Sequence, residues 1–152
     1  MMTNEYKEKL EVGLEYQDFV IYQLYRRGIP LVCYGSKKHQ WKYGETFGGF
    51  EIKYDRRFRE TGNFYIETAE KSDKHNLNFI KSGIYRDDNT WIWCIGDYET
   101  LFFLSKRHLI TMHKKKQRQE VETSTSKGFL LPVELVESFY ALKTIQVKTN
   151  RS

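Results

Sequence analysis

The sequence predicts a mixed α/β domain, sandwich-like, with helices around a central sheet. Three observations carry that expectation. Apolar residues recur at helical spacing near the N-terminus. Two later stretches, Phe50–Asp55 and Asn63–Lys71, alternate strictly between apolar and polar residues. The run Thr90–Asp97 (TWIWCIGD) has the aromatic and β-branched composition of a buried strand. At 152 residues the chain suits one domain, residues 1–152, with one substantial core.

In order along the chain, Leu10, Leu14, Ile21 and Leu24 share a helical face that Phe19 and Val20 widen, so a helix is expected from Glu5 to Arg27, stopped by Gly28. Pro30 opens PLVCY, a short buried strand, and GSKKH is a polar turn. HQWKY reads as a strand leading into Gly44 and Glu45, and Phe47-Gly48-Gly49 is a turn signal. In FEIKYD, Phe50, Ile52 and Tyr54 face one side and Glu51, Lys53 and Asp55 the other. RRFRETGN is a polar connection. NFYIETAEK then sets Phe64, Ile66 and Thr68 opposite Tyr65, Glu67, Ala69 and Lys71. Two such runs joined by a polar connection predict an antiparallel pair.

The segment SDKHNLNFIKSGIYRDDN is weakly patterned, with a short helix around Leu77 to Lys81. ETLFFLS is a strand after TWIWCIGD, or else the start of a helix running through Arg107 to Lys116. QRQEVETSTSKG is a polar loop, and LLPVELVESFYALK a short helix with Pro132 in its first turn. No repeat, heptad or linker divides the chain.

Net charge is +5 and unevenly placed. Ser105–Gln119 holds six Lys/Arg and no acid, including Lys114, Lys115 and Lys116; Arg56, Arg57 and Arg59 form a second cluster. These are either solvated faces or a surface for a polyanion, where Lys and Arg replace counterions condensed on phosphates. No apolar run approaches the ~18 residues of a membrane span, so no membrane partner is expected. MMTNEYKEKL has no apolar signal core, which points to a cytoplasmic protein. Cys33 and Cys94 sit in apolar runs as lone thiols. His39, His75, His108 and His113 are scattered, without zinc-ligand spacing.

The polar sides of the two alternating runs carry the chemistry. Glu51 and Glu67 lie 16 residues apart, and a hairpin of that size brings both carboxylates to one end of a sheet. Carboxylates a few ångströms apart repel, and a divalent cation relieves the repulsion; Mg²⁺ takes oxygen ligands and keeps several waters. A neighbouring lysine orients the attacking water or balances charge on a phosphate. Lys53 follows Glu51 by two residues, and Lys71 follows Glu67 by four. Alternating Glu and Lys also describe an ordinary solvated strand face.

At these residues, over about positions 10 to 110, the chain resembles the PD-(D/E)xK nuclease superfamily, in particular its small resolvase-like and phage-type members. Gly13-Leu14-Glu15-Tyr16 resembles that family's first helix with its acid at Glu15. Gly49-Phe50-Glu51 resembles the acid opening the second strand, and Tyr65-Ile66-Glu67 the glutamate of the third. Ser82-Gly83-Ile84 before Thr90-Trp91-Ile92-Trp93, then Leu101 to Leu109, are similar to the segments that close the family core. The position two after Glu67 is Ala69, where the family has lysine, so Lys53 or Lys71 supplies the ammonium. A second alignment stays open, in which Glu51-Ile52-Lys53 is itself the Glu-x-Lys and Glu45 the preceding acid; Asp55 is a further acid for a second metal.

The resemblance implies a restriction-endonuclease-like core, with a central mixed four- to five-stranded sheet flanked by helices. It implies an endonuclease hydrolysing phosphodiester bonds in DNA with Mg²⁺, or Mn²⁺ in its place. Glu51 and Glu67 would hold metal, Glu15 would support a second metal or a water, and the arginine cluster with Lys114–Lys116 would hold the backbone. A homodimer is implied too; the resemblance names no interface, and the sequence itself offers only exposed aromatics around Tyr98 to Phe103. The departure at Ala69 motivates the alternative of a catalytically inactive nucleic-acid-binding module on the same fold; a small phage-type interaction protein is a third reading.

Overall fold

Tyr16, Val20 and Leu24, four residues apart, form the fully buried stripe of helix α1 (Asn4–Tyr25) in a computed structural model that describes residues 4–145. Gly28, at φ +79°, turns the chain back so that the Ile29 N–H reaches the Leu24 carbonyl at 2.9 Å. In place of a strand at PLVCY, Cys33 makes an isolated antiparallel bridge to Thr46. HQWKY, expected as a strand, belongs to helix α2 (Lys37–Tyr43). Its aromatic–polar alternation does not decide the structure, because the Ser36 side chain caps a helical turn by accepting the His39 N–H at 3.2 Å.

Strand β1 (Phe50–Tyr54), helical turn α3 (Phe58–Thr61) and strand β2 (Asn63–Glu70) follow. The helix expected around Leu77 to Lys81 is instead a short strand β3 (Ile80–Lys81) and a 3₁₀ turn (Gly83–Tyr85), with Leu77 left 93% exposed. Then come β4 (Ile92–Gly96), β5 (Thr100–Ser105) and α4 (Lys106–Lys114). ETLFFLS is therefore a strand and not the start of the helix, which begins only at Lys106 behind Ser105, whose hydroxyl accepts the His108 N–H. The expected polar loop holds β6 (Glu120–Glu122) and the start of β7 (Ser126–Pro132). Helix α5 (Glu134–Tyr140) and β8 (Ala141–Lys143) complete the described elements. Pro132 therefore ends a strand rather than starting a helix.

The expected pairing of β1 with β2 does not occur. The first sheet has the order β1-β4-β5-β8 and is mixed, with β1 parallel to β4 so that Glu51 stands opposite Trp93 and Lys53 opposite Ile95. The second sheet, β3-β2-β7-β6, is antiparallel, with Glu67 opposite Gly128. The connection explains the difference. Asp55 accepts the N–H groups of Arg57 and Phe58, α3 makes a turn, and Phe58 is buried against Phe64 and Phe102. That folded segment carries the chain across to another sheet, where a hairpin would need a short turn.

Two cores result, one on each face of the first sheet. Ile52, Cys94 and Leu101 pack with Tyr16, Val20 and Leu24 of α1. Trp93, Ile95, Phe102 and Leu104 pack against Phe64 and Ile66 of β2 and Phe129 and Leu131 of β7. Leu101 and Phe102 are buried to 0% and 1% exposure and belong to the core, whereas Tyr98, 41% exposed, stays at the surface. No described helix is long and apolar enough to cross a membrane.

Candidate functional site

Strand β1 lies at the edge of the first sheet, and its alternation is as the sequence predicts. Ile52 enters the α1 core while Glu51 and Lys53 take the opposite face. Glu51 is 7% exposed. Its Oε1 lies 2.7 Å from Lys53 Nζ, and its Oε2 accepts the Thr90 hydroxyl at 3.3 Å. Lys53 also lies over the Trp93 ring, 5.5 Å from its centre.

Glu45 joins this pair from the chain before β1. Its Oε2 accepts the Ile52 N–H at 2.6 Å, and its Oε1 accepts the side-chain amide of Gln17, which is 8% exposed on α1. Burial raises the Glu45 pKa above the usual carboxylate range, and the Glu51 charge adds to the rise, against the Ile52 N–H and Lys53, which lower it. Burial alone would lower the Lys53 pKa. The Glu51 ion pair outweighs it, with smaller contributions from Glu45 and Glu67, and the net shift is upward.

Two clefts meet at Lys53. One, of about 600 Å³, is lined by Lys53, Glu67, Arg56, Arg57, Tyr65 and Trp93. The other, of about 510 Å³, is lined by Glu45, Glu51, Lys53, Lys37, Lys38, Trp41 and Arg86. Glu67 therefore approaches Lys53 from the other sheet rather than from a paired strand. Its two oxygens accept the hydroxyls of Ser82 at 2.7 Å and Ser126 at 3.3 Å.

The remaining expected residues separate into those near this centre and those elsewhere. Arg56 and Arg57 line the first cleft. Arg59 does not; its guanidinium is held by Asp97 at 2.6 Å and Glu99 at 3.3 Å. Glu15 is exposed on α1, beside Tyr98, whose pKa its charge helps raise after burial. Two helical residues subtend about 200°, so Glu15 and the site-facing Gln17 are on opposite sides of α1. Lys71 lies over the Phe79 ring at 4.3 Å, outside both clefts. Lys114 lines a separate cleft with Trp91 and Arg107, and neither Lys115 nor Lys116 borders the Lys53 clefts. Asp55 lines the first cleft while accepting the N–H groups of Arg57 and Phe58 at the entry to α3.

Sequence reading did not select Gln17, Lys37, Lys38, Trp41 or Arg86. The only local signal was a glutamine on an otherwise apolar helix face at Gln17, and a pair of lysines in a polar stretch at Lys37-Lys38.

Among the described residues, no three His, Cys, Asp or Glu side chains gather closely enough to form a metal cage. Glu45 and Glu51 offer something more open: two carboxylates whose charges oppose each other, bordering a cleft open to water. That donor set fits a hard, oxygen-seeking cation such as Mg²⁺ or Mn²⁺, with most of its shell left to water and phosphate. No protein-family model, curated protein or solved structure matches the chain.

Proposed function

We propose that this protein is a divalent-metal-dependent nuclease that hydrolyses phosphodiester bonds in DNA, with Glu45, Glu51 and Lys53 at its centre. The observation carrying this reading is the grouping itself. Two buried or half-buried acids oppose each other beside an ammonium group, in clefts whose rims carry Arg56 and Arg57 on one side and Lys37 and Lys38 on the other. The grouping favours the alignment in which Glu51-Ile52-Lys53 is the Glu-x-Lys and Glu45 the preceding acid. It does not favour the pair Glu51 and Glu67, because Glu67 comes from a different sheet and is bonded to two serines.

Glu45 and Glu51 would hold the cation, Mg²⁺ or Mn²⁺. When bound, such an ion polarises the phosphodiester and lowers the pKa of a coordinated water. Gln17 and the Ile52 N–H fix the direction of Glu45, and the Thr90 hydroxyl fixes that of Glu51. Lys53, protonated at neutral pH, cannot abstract a proton. It donates to phosphate oxygens or to the attacking water, and so steadies charge as it builds. Arg56 and Arg57 contact the phosphate backbone.

Calorimetric titration with Mn²⁺ tests the centre directly. Wild type should bind the ion, and Glu51→Ala should lose that binding while keeping its far-ultraviolet spectrum. Equal binding by both proteins sinks the assignment, and an inactive nucleic-acid-binding module would bind DNA without needing the ion at all.

A further inference from the structure

Trp41 is 77% exposed, yet it lines the same cleft as Glu45, Glu51 and Lys53. Its backbone is fixed. Arg86 Nη2 donates to the carbonyls of Gln40 at 3.0 Å and Trp41 at 2.7 Å, and Arg86 is itself held 3.5 Å from Asp88, which is 1% exposed. The Tyr43 carbonyl accepts the Asn89 N–H at 3.0 Å, pinning the end of α2. An indole face on a rigid mount, open to solvent beside a charged cleft, is a stacking platform. Lys37 and Lys38 flank it, and among the described residues neither pairs with a carboxylate.

We infer that this cleft takes an unpaired nucleotide stacked on Trp41, so that the preferred substrate is single-stranded or locally melted DNA rather than continuous duplex. The physical reason lies in the π face. A base offers one to a protein side chain only when it leaves the helical stack; in a duplex both faces are occupied by neighbours. Lysines that hold the backbone, with an aromatic side chain that stacks the base, make the combination by which single strands are bound without sequence preference. The cleft, at about 510 Å³, has the size of a small-ligand pocket and can hold one nucleotide. The inference rests on the proposed nuclease reading only in placing the stacked base beside the phosphate to be cut.

The test is binding without divalent ions, using a single-stranded deoxyoligonucleotide and a duplex of the same length. The single strand should quench tryptophan emission, and Trp41→Phe should abolish that quenching. Trp41→Ala should weaken single-strand binding on the order of tenfold and leave duplex binding within about twofold. Because Trp41 is exposed, neither variant should alter the melting temperature. Equal losses for the two DNAs, or no quenching by the single strand, overturn the inference and leave Trp41 for a protein partner. Cleavage assays with Mg²⁺ keep the two claims apart. Quenching and strand preference without cleavage would sink the nuclease reading and leave this one standing. Cleavage that Trp41→Ala leaves intact on both DNAs would do the reverse.

Discussion

Lys53 sits among the carboxylates of Glu51, Glu45 and Glu67, and its charge is the consequence of that company. Glu45 is the opposite case, an acid whose burial and neighbour both favour the proton. Its sign for stability follows. A carboxylate with a folded pKa above its unfolded value keeps a proton that the unfolded chain has already lost. Its stabilising contribution is complete below the unfolded value, 4.5, and disappears as pH rises through the folded one. Thermal melts of metal-free protein, stepped upward from about pH 4.5, should show wild type losing stability relative to Glu45→Gln. Added Mg²⁺ should reverse that loss in wild type alone. Parallel curves would mean that Glu45 does not titrate in this window. At this scale the sequence was readable in part. Glu51 and Lys53 announce themselves by alternation on one strand, because period two is a local property. Gln17 and Trp41 do not, because what they face is decided by α1 packing on β1 and by Arg86 fastening α2.

Between residues and the whole lie the elements, and here the alternation of β2 was legible while its partner was not. A strand's two faces are written in its own residues, but its neighbour depends on what the intervening chain does. Asp55, Phe58 and Gly62 turn that connection into a helical corner, and β2 joins β7 instead of β1. The same corner separates Arg59 from the cleft that Arg56 and Arg57 line, by aiming it at Asp97. Helix α2 was missed because a seven-residue helix has little periodicity and is specified mainly by its Ser36 cap. Element geometry also holds Glu67. Gly83, at φ +55°, lies so close to β2 that a Cβ would come within 2.1 Å of the Glu67 carbonyl oxygen. Gly83→Ala should therefore destabilise the protein by about 1–3 kcal/mol, measured by urea denaturation. An unchanged midpoint would show that β2 and the 3₁₀ turn separate freely.

Across the whole molecule, the candidate centre is a product of both sheets. The first sheet presents Glu51 and Lys53 on its edge strand, α1 braces Glu45 through Gln17, and the second sheet closes the far wall with Tyr65 and Glu67. The resemblance to PD-(D/E)xK nucleases was carried by residues that this architecture distributes differently. It gathers Glu45, Glu51 and Lys53, puts Glu67 on the opposite wall, and sends Glu15 and Lys71 elsewhere. The net charge of +5 was legible from composition, but its useful part was not. The dense run at Lys114–Lys116 lies away from the clefts, whereas Arg56, Arg57, Lys37 and Lys38 border them.

The measurement that tests this arrangement most directly is Mg²⁺-dependent cleavage of labelled single-stranded and branched DNA, comparing Glu45→Gln and Lys53→Met with Glu67→Gln and Lys71→Met. Each of the first two substitutions should lower the rate by about 10²–10³-fold, whereas Lys71→Met should leave it unchanged and Glu67→Gln should lower it by less than about tenfold. Cleavage lost in Glu67→Gln and Lys71→Met but retained in Glu45→Gln and Lys53→Met would contradict the account and move the chemistry to the second sheet.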